Sequence, residues 1–170
     1  MCRPASFIVT RERTLWDKDG DAHEVLIAAN GLDDKTDKPD FVRTEIAPLN
    51  ACYSLPLAKW KFRVDQDFLP LWWNAKWAER ECRKALKLWA KHHIIRRGKG
   101  TCGHGQTRIA VGRAVLLEVT GGEVWAYDSA IIQSVTGGEA SAYDSATIQS
   151  VTGGVAWACG SAKILKDLRC

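Results

Sequence analysis

VTGGEVWAYDSAIIQS (119–134), VTGGEASAYDSATIQS (135–150) and VTGGVAWACGSAKILK (151–166) are three copies of one 16-residue unit. Each unit divides into two octads. Position 4 is always Gly or Ala: Gly122, Ala130, Gly138, Ala146, Gly154, Ala162. Position 6 is apolar throughout: Val124, Ile132, Ala140, Ile148, Ala156, Ile164. Position 8 is mostly small: Ala126, Ser134, Ala142, Ser150, Ala158. Side chains alternate along a strand, so positions 4, 6 and 8 share one face. Positions 2 and 3 (Thr-Gly, Asp-Ser, Gly-Ser) carry turn chemistry. Each octad therefore predicts one short strand and one turn, and two octads close a coil. Internal periods of this kind mark solenoids. The expectation is a short flattened parallel β-solenoid, a right-handed β-helix with two strands per coil and coils ~4.8 Å apart.

The segment 111–118 fits as a degenerate first octad, with Ala114 and Leu116 in register. The predicted solenoid thus covers 111–170, as three full coils and a starter half-coil. Stacking creates outer columns: Trp125 and Trp157 with Ser141 between them, Tyr127 with Tyr143 and Cys159, and Glu123 with Glu139. Trp125, Trp157, Tyr127, Tyr143, Glu123 and Glu139 form the predicted solenoid surface. Lys163, Lys166, Asp167 and Arg169 place charge on the last coil, as a cap that blunts an open sheet edge.

Composition changes where the repeat begins. All five Pro and all four Phe lie before residue 71. Residues 1–117 hold 21 Lys and Arg against 14 Asp and Glu, and residues 118–170 hold 3 against 6. The net charge of +4 thus averages a basic front and an acidic back, which predicts two regions with different partners or regions that attract each other. With 46% apolar and 26% charged residues, the 170-residue chain is not of the disordered class. No apolar run reaches the ~18–20 residues of a membrane span. The opening MCRPASFIVTRER has no secretory pattern, so a cytoplasmic protein with six reduced cysteines and no membrane contact is expected.

The division expected is an α+β domain over 1–97, a Gly-rich linker over 98–110 and the solenoid over 111–170. SFIVTRERTLW (6–16) predicts a strand or tight hairpin. Asp21-Ala-His-Glu24 has the spacing of a capping box, and the helix it opens ends at Gly31. FVRTEIAP (41–48) and LAKWKFRVDQ (57–66) read as strands. A long amphipathic helix follows from about Asn74 to Ile94, with Ala78, Cys82, Ala85, Leu86, Trp89 and Ala90 on its apolar stripe.

The polar face of that helix and its continuation are basic: Lys76, Arg80, Arg83, Lys84, Lys87, Lys91, Arg96 and Arg97. Such a run serves as a solvated face, a protein-partner surface or a phosphate-tracking surface for nucleic acid. Cys2 would become the terminal residue on removal of Met1, and its own amine could then act as base. His23 and Glu24 offer an acid/base pair. Cys82, His92, His93, Cys102 and His104 lack the close ligand pairs of a zinc site, so no metal and no cofactor are predicted. Asp65-Gln-Asp67 suits a turn as well as a cation.

The opening MCRPASF, the later FVRTEIAP and the stretch KWKFRVDQDFLPLWW resemble a family of small bacterial and phage-encoded proteins. Members open with MCRPASF and many carry Gly/Ala/Ser-rich solenoid repeats. This chain has Gly20-Asp-Ala-His-Glu24 where the family has Ser-Asp-Ser-His-Glu. The resemblance implies a phage or prophage context and supplies no reaction. Three functional readings follow. The first is a non-enzymatic interaction protein acting on a host factor, with the solenoid as rigid spacer or self-association surface. The second is an enzyme with Cys2 as nucleophile, and the third is nucleic-acid binding through the basic helix.

Overall fold

A computed structural model describes residues 5–34 and 38–169. Cys2 lies outside the described residues. The chain divides into two compact units, Met1–Ala90 and Lys91–Cys170.

The first unit contains a four-stranded antiparallel sheet. Strands β1 (Ser6–Val9) and β2 (Thr14–Leu15) form the predicted hairpin, with Ile8 opposite Leu15. Helix α1 spans His23–Ala29 and ends through Asn30 and Gly31. Strands β3 (Val42–Ala47) and β4 (Lys61–Val64) complete the sheet in the order β2-β1-β3-β4. Strand β4 is shorter than the run 57–66, because Pro56 starts a single 3-10 turn over Leu57–Lys59. Helix α2 (Ala75–His93) follows, its first turn capped by Asn74 Oδ1, which accepts from the Trp77 N–H at 3.0 Å.

The predicted stripe of α2 is buried at Ala78, Cys82, Ala85, Leu86 and Trp89. Cys82 Sγ lies 3.4 Å from Thr44 Oγ1 on β3, and Trp89 meets the edge of Trp60 at 6.2 Å. Alternation along β1 and β3 puts Ile8, Arg43 and Glu45 on the face opposite Phe7 and Thr44. There Leu26 and Ile27 of α1 pack with Ile8, Leu15 and Phe41. The expected capping box does not form. Ala22 is the N-cap of α1, with no side-chain cap bond. Asp21 Oδ1 accepts instead from the Ser6 N–H at 2.8 Å and from Trp89 Nε1 at 3.0 Å. Tertiary donors have outcompeted the local one.

The second unit is a parallel β-solenoid with coils of about 16 residues, and it begins earlier than the repeat predicts. Strand β5 (Ile94–Cys102) pairs in parallel with β6 (Thr107–Val119), so most of 98–110 is strand rather than linker. These rungs lack the Thr-Gly-Gly that marks the repeat in sequence. The strands β7 (Glu123–Ala126), β9 (Glu139–Ala142) and β11 (Val155–Ala158) stack along one side, continuing the start of β6. The strands β8 (Ile131–Val135), β10 (Thr147–Val151) and β12 (Lys163–Asp167) stack along the other.

Leu116, Val124, Ile132, Ala140, Ile148 and Ala156 line the interior, as the repeat predicts for position 6. Position 8 behaves differently in the two octads. Ala126 and Ala142 are buried, but Ser134 and Ser150 are not, and Val119, Val135 and Val151 fill the interior instead. The chain bends between Ile132 and Val135, so residues three apart share the inner side. One corner column is left-handed throughout: Gly112, Asp128, Asp144 and Gly160 have φ of 65, 57, 56 and 69°. The serine after each aspartate closes that corner. Ser129 and Ser145 donate to the carbonyls of Gly112 and Asp128 one rung away, at 2.8 and 2.7 Å.

Burial sets the chemistry of the thiols. Cys82 and Cys102 are buried, and loss of solvation pushes both up to about 11. Cys52 and Cys159 are exposed. A thiol reagent at pH 8 is therefore expected to label Cys52 and Cys159 promptly, and Cys82 and Cys102 only after denaturation, as read by peptide mass spectrometry. The folded chain holds those two protons more tightly than the unfolded chain. Stability should consequently fall as pH rises from the ordinary thiol value of 9.0 toward 11.

Candidate functional site

Two buried polar side chains, His23 and Glu45, meet the partly exposed Arg63 and Asp65 beneath α1. Glu45 of β3 is directly opposite Arg63 of β4, and Asp65 follows two residues later on the same face. Arg63 Nε donates to Glu45 Oε2 at 2.8 Å, and its Nη2 donates to Asp65 Oδ1 at 3.0 Å. The first turn of α1 lays His23 over these carboxylates. His23 Nδ1 is 3.7 Å from Asp65 Oδ2, and its Nε2 is 3.1 Å from the Thr44 carbonyl oxygen. His23 and Glu45 are 1% and 0% exposed, whereas the Asp65 side chain is 35% exposed. Solvent thus meets the cluster from the Asp65 side. One ligand atom each from His23, Glu45 and Asp65 lie within 4.8 Å of one another, the sole such group among the described residues.

The structure separates the pair that adjacency had joined. Glu24 is exposed while its neighbour His23 is buried, because consecutive helical residues point ~100° apart. His23 finds its carboxylates on the sheet instead. Asp65 belongs to the cluster, and Asp67 is exposed outside it. The sequence held one signal for this site. Arg63 and Asp65 alternate on one face of a strand, which places two charges of opposite sign side by side.

The remaining candidates are distributed over the two units. On α2, Lys76, Arg80, Lys84 and Lys87 are exposed, and Arg83 is half-buried. Part of this face is neutralised within the helix. Arg83 pairs with Glu79, and Arg80 and Lys84 both pair with Glu81, whose carboxyl they hold below its ordinary value. Lys91, Arg96 and Arg97 belong to the second unit and are exposed. Of the loose Cys/His group, His93 Nδ1 contacts the Thr107 carbonyl at 2.9 Å, and Cys102 Sγ donates to the Gln106 carbonyl at 3.4 Å.

The solenoid columns are present as predicted. Tyr127 and Tyr143 stack at 4.9 Å with 12° between the rings. Trp125 is half-buried, Ser141 in the same column is buried, and Trp157 is 48% exposed. Glu123 stands beside Glu139 across the rungs. Partial burial, and then the like charge of Glu139, raise the Glu123 carboxyl above its ordinary value.

Fold and site define a parallel β-solenoid repeat protein whose other unit is a helix-flanked antiparallel sheet with a buried acid–histidine cluster. Comparison with family models, curated proteins and solved structures finds no match to the chain. Among the described residues, no helix is long and apolar enough to cross a membrane.

Proposed function

We propose that the protein is an interaction protein in which two copies join through the last coils of their solenoids. In this reading the solenoid is flattened and serves as the joining element, and the N-terminal unit is an α+β module thereby held as a pair. The observation that carries the proposal is the surface of the last coil. Val155, Trp157, Leu165 and Leu168 are 41, 48, 60 and 60% exposed within one short segment. Val155 and Trp157 lie on β11 and Leu165 and Leu168 on or just after β12, so each side of the last coil carries exposed apolar side chains, the kind of surface that partners cover.

Backbone pairing supports the same reading. Strands β11 and β12 end the strand order and have a strand neighbour on one side only among the described residues. Their outer N–H and C=O groups form a template for another strand. A second copy offers a surface of matching width, namely its own last coil. A twofold axis between the two would align the strands antiparallel and make one surface serve both partners. Asp167 is paired with Arg169, which holds its carboxyl down at about 2, so these two charges offset each other while Lys163 and Lys166 are exposed on the same coil.

Light scattering of the full chain across a concentration series tests the proposal. The expected mass is twice the 18.9 kDa of one chain at high concentration, returning toward one chain on dilution. Trp157→Lys with Leu165→Lys should abolish the dimer and leave the circular dichroism unchanged. A monomer at every concentration, or a dimer undisturbed by the double variant, would overturn it. The phage context and cytoplasmic setting belong to the same proposal and rest on the resemblance in MCRPASF and VDQD. A host component is then the partner of the N-terminal module.

A further inference from the structure

We propose that His23, Glu45 and Asp65 bind a divalent first-row transition-metal ion. The argument begins with the imidazole. Its Nε2 faces the Thr44 carbonyl at 3.1 Å, and a carbonyl only accepts. In the neutral ring Nε2 therefore carries the proton, and the lone pair is on Nδ1, the nitrogen that faces Asp65 Oδ2. Metal-bound histidines are oriented in this way, with the distal N–H given to a backbone carbonyl or carboxylate.

Spacing is the second element. The 3.7 Å between Nδ1 and Oδ2 is too long for a hydrogen bond. Two ligands of one ion, each bonded at ~2.1 Å, stand about 3.0–3.5 Å apart. A shift of a few tenths of an ångström would bring the pair to that distance. Glu45 supplies the third ligand within the same 4.8 Å group. Arg63 orients the carboxylates, through Glu45 Oε2 and Asp65 Oδ1, while Asp65 Oδ2 is turned toward His23. Hydrogen-bonded partners of this kind commonly hold ligating carboxylates in place.

Ligand type selects the ion, and the donors here are one imidazole nitrogen and two carboxylate oxygens. One imidazole with two carboxylates suits zinc, manganese or cobalt better than magnesium or calcium, which take oxygen ligands alone. The buried side at His23 and Glu45 fixes the ligands, and the exposed edge at Asp65 provides entry.

Cobalt(II) added to the full, chelator-treated chain is the direct test, because its visible spectrum reports the ligands. The expected result is one equivalent bound, with d–d bands and no thiolate-to-cobalt charge-transfer band. Asp65→Asn removes the charge of a ligand and should weaken binding at least as much as loss of an outer hydrogen-bond partner, which costs about 10–100-fold. Glu45→Gln is the second variant, and circular dichroism identifies which of the two variants is folded. No d–d spectrum with the unaltered chain would overturn the proposal. So would a thiolate band, or a spectrum unchanged in a folded variant. The dimer proposal does not enter, since the light-scattering experiment is read without added metal.

Discussion

Replacing Gly138 with alanine is expected to destabilise the solenoid unit by about 2–5 kcal/mol, from backbone strain and overpacking together. Gly138 has φ of 71°, a conformation that costs any L side chain. Its surroundings add to that cost. A Cβ there would fall 2.5 Å from the Gly121 carbonyl carbon and 2.5 Å from the Gly122 oxygen. Both are backbone atoms of the rung below, so relief requires the rungs to separate. Gly160 provides the control, because its φ is 69° but a methyl group at that position would meet nothing within 4 Å. Gly160→Ala should therefore lose only the conformational part, about 1 kcal/mol. Urea unfolding followed by the β-sheet circular dichroism signal measures the difference. Equal effects at the two positions would show that rung contact plays no part.

Trp89→Ala is expected to cost the N-terminal unit about 3–5 kcal/mol. The indole is 0% exposed and packs edge-on against Trp60, which in turn meets Tyr53 at 5.6 Å. Truncation opens a cavity at the centre of this aromatic cluster. It also removes the N–H that Asp21 accepts, in a place where the same carboxylate oxygen holds the Ser6 amide. Trp89→Phe separates the two contributions. It keeps most of the ring and deletes the donor, so a loss of about 1–2 kcal/mol is expected. Six of the eight tryptophans (16, 60, 72, 73, 77 and 89) lie before residue 91, so fluorescence follows this unit through denaturation. A Phe variant as unstable as the Ala variant would assign the effect to the hydrogen bond instead of the cavity.

Much of the solenoid was readable because its rule is local and repeated. Val124, Ile132, Ala140 and Ile148 face inward, as period-two alternation requires. The rule failed at Ser134 and Ser150, where a bend within the strand transfers the inward place to Val135 and Val151. It also missed the first rungs. The octad over 111–118 forms the end of β6, as its register predicts, but Ile94–Cys102 and the start of β6 from Thr107 carry different corner residues, and only their pairing reveals them.

The cluster in the N-terminal unit was less accessible to sequence. That Arg63 and Asp65 share a face follows from strand alternation. That Glu45 stands opposite Arg63 depends on register, which a one-residue slip would reverse. Placing His23 over them requires the docking of α1, a tertiary event. The capping-box spacing at Asp21 and Glu24 misled for the same reason. Asp21 had better partners in Ser6 and Trp89, which are 15 and 68 residues away along the chain.

The joining of two solenoids is tested most directly by hydrogen exchange at the last coil, measured at two protein concentrations. Amides of β11 and β12 should be protected when the protein is concentrated and exchange faster on dilution, while those of β8 and β10 remain protected in both. Exchange in β11 and β12 that is fast and independent of concentration would contradict a dimer formed through these strands.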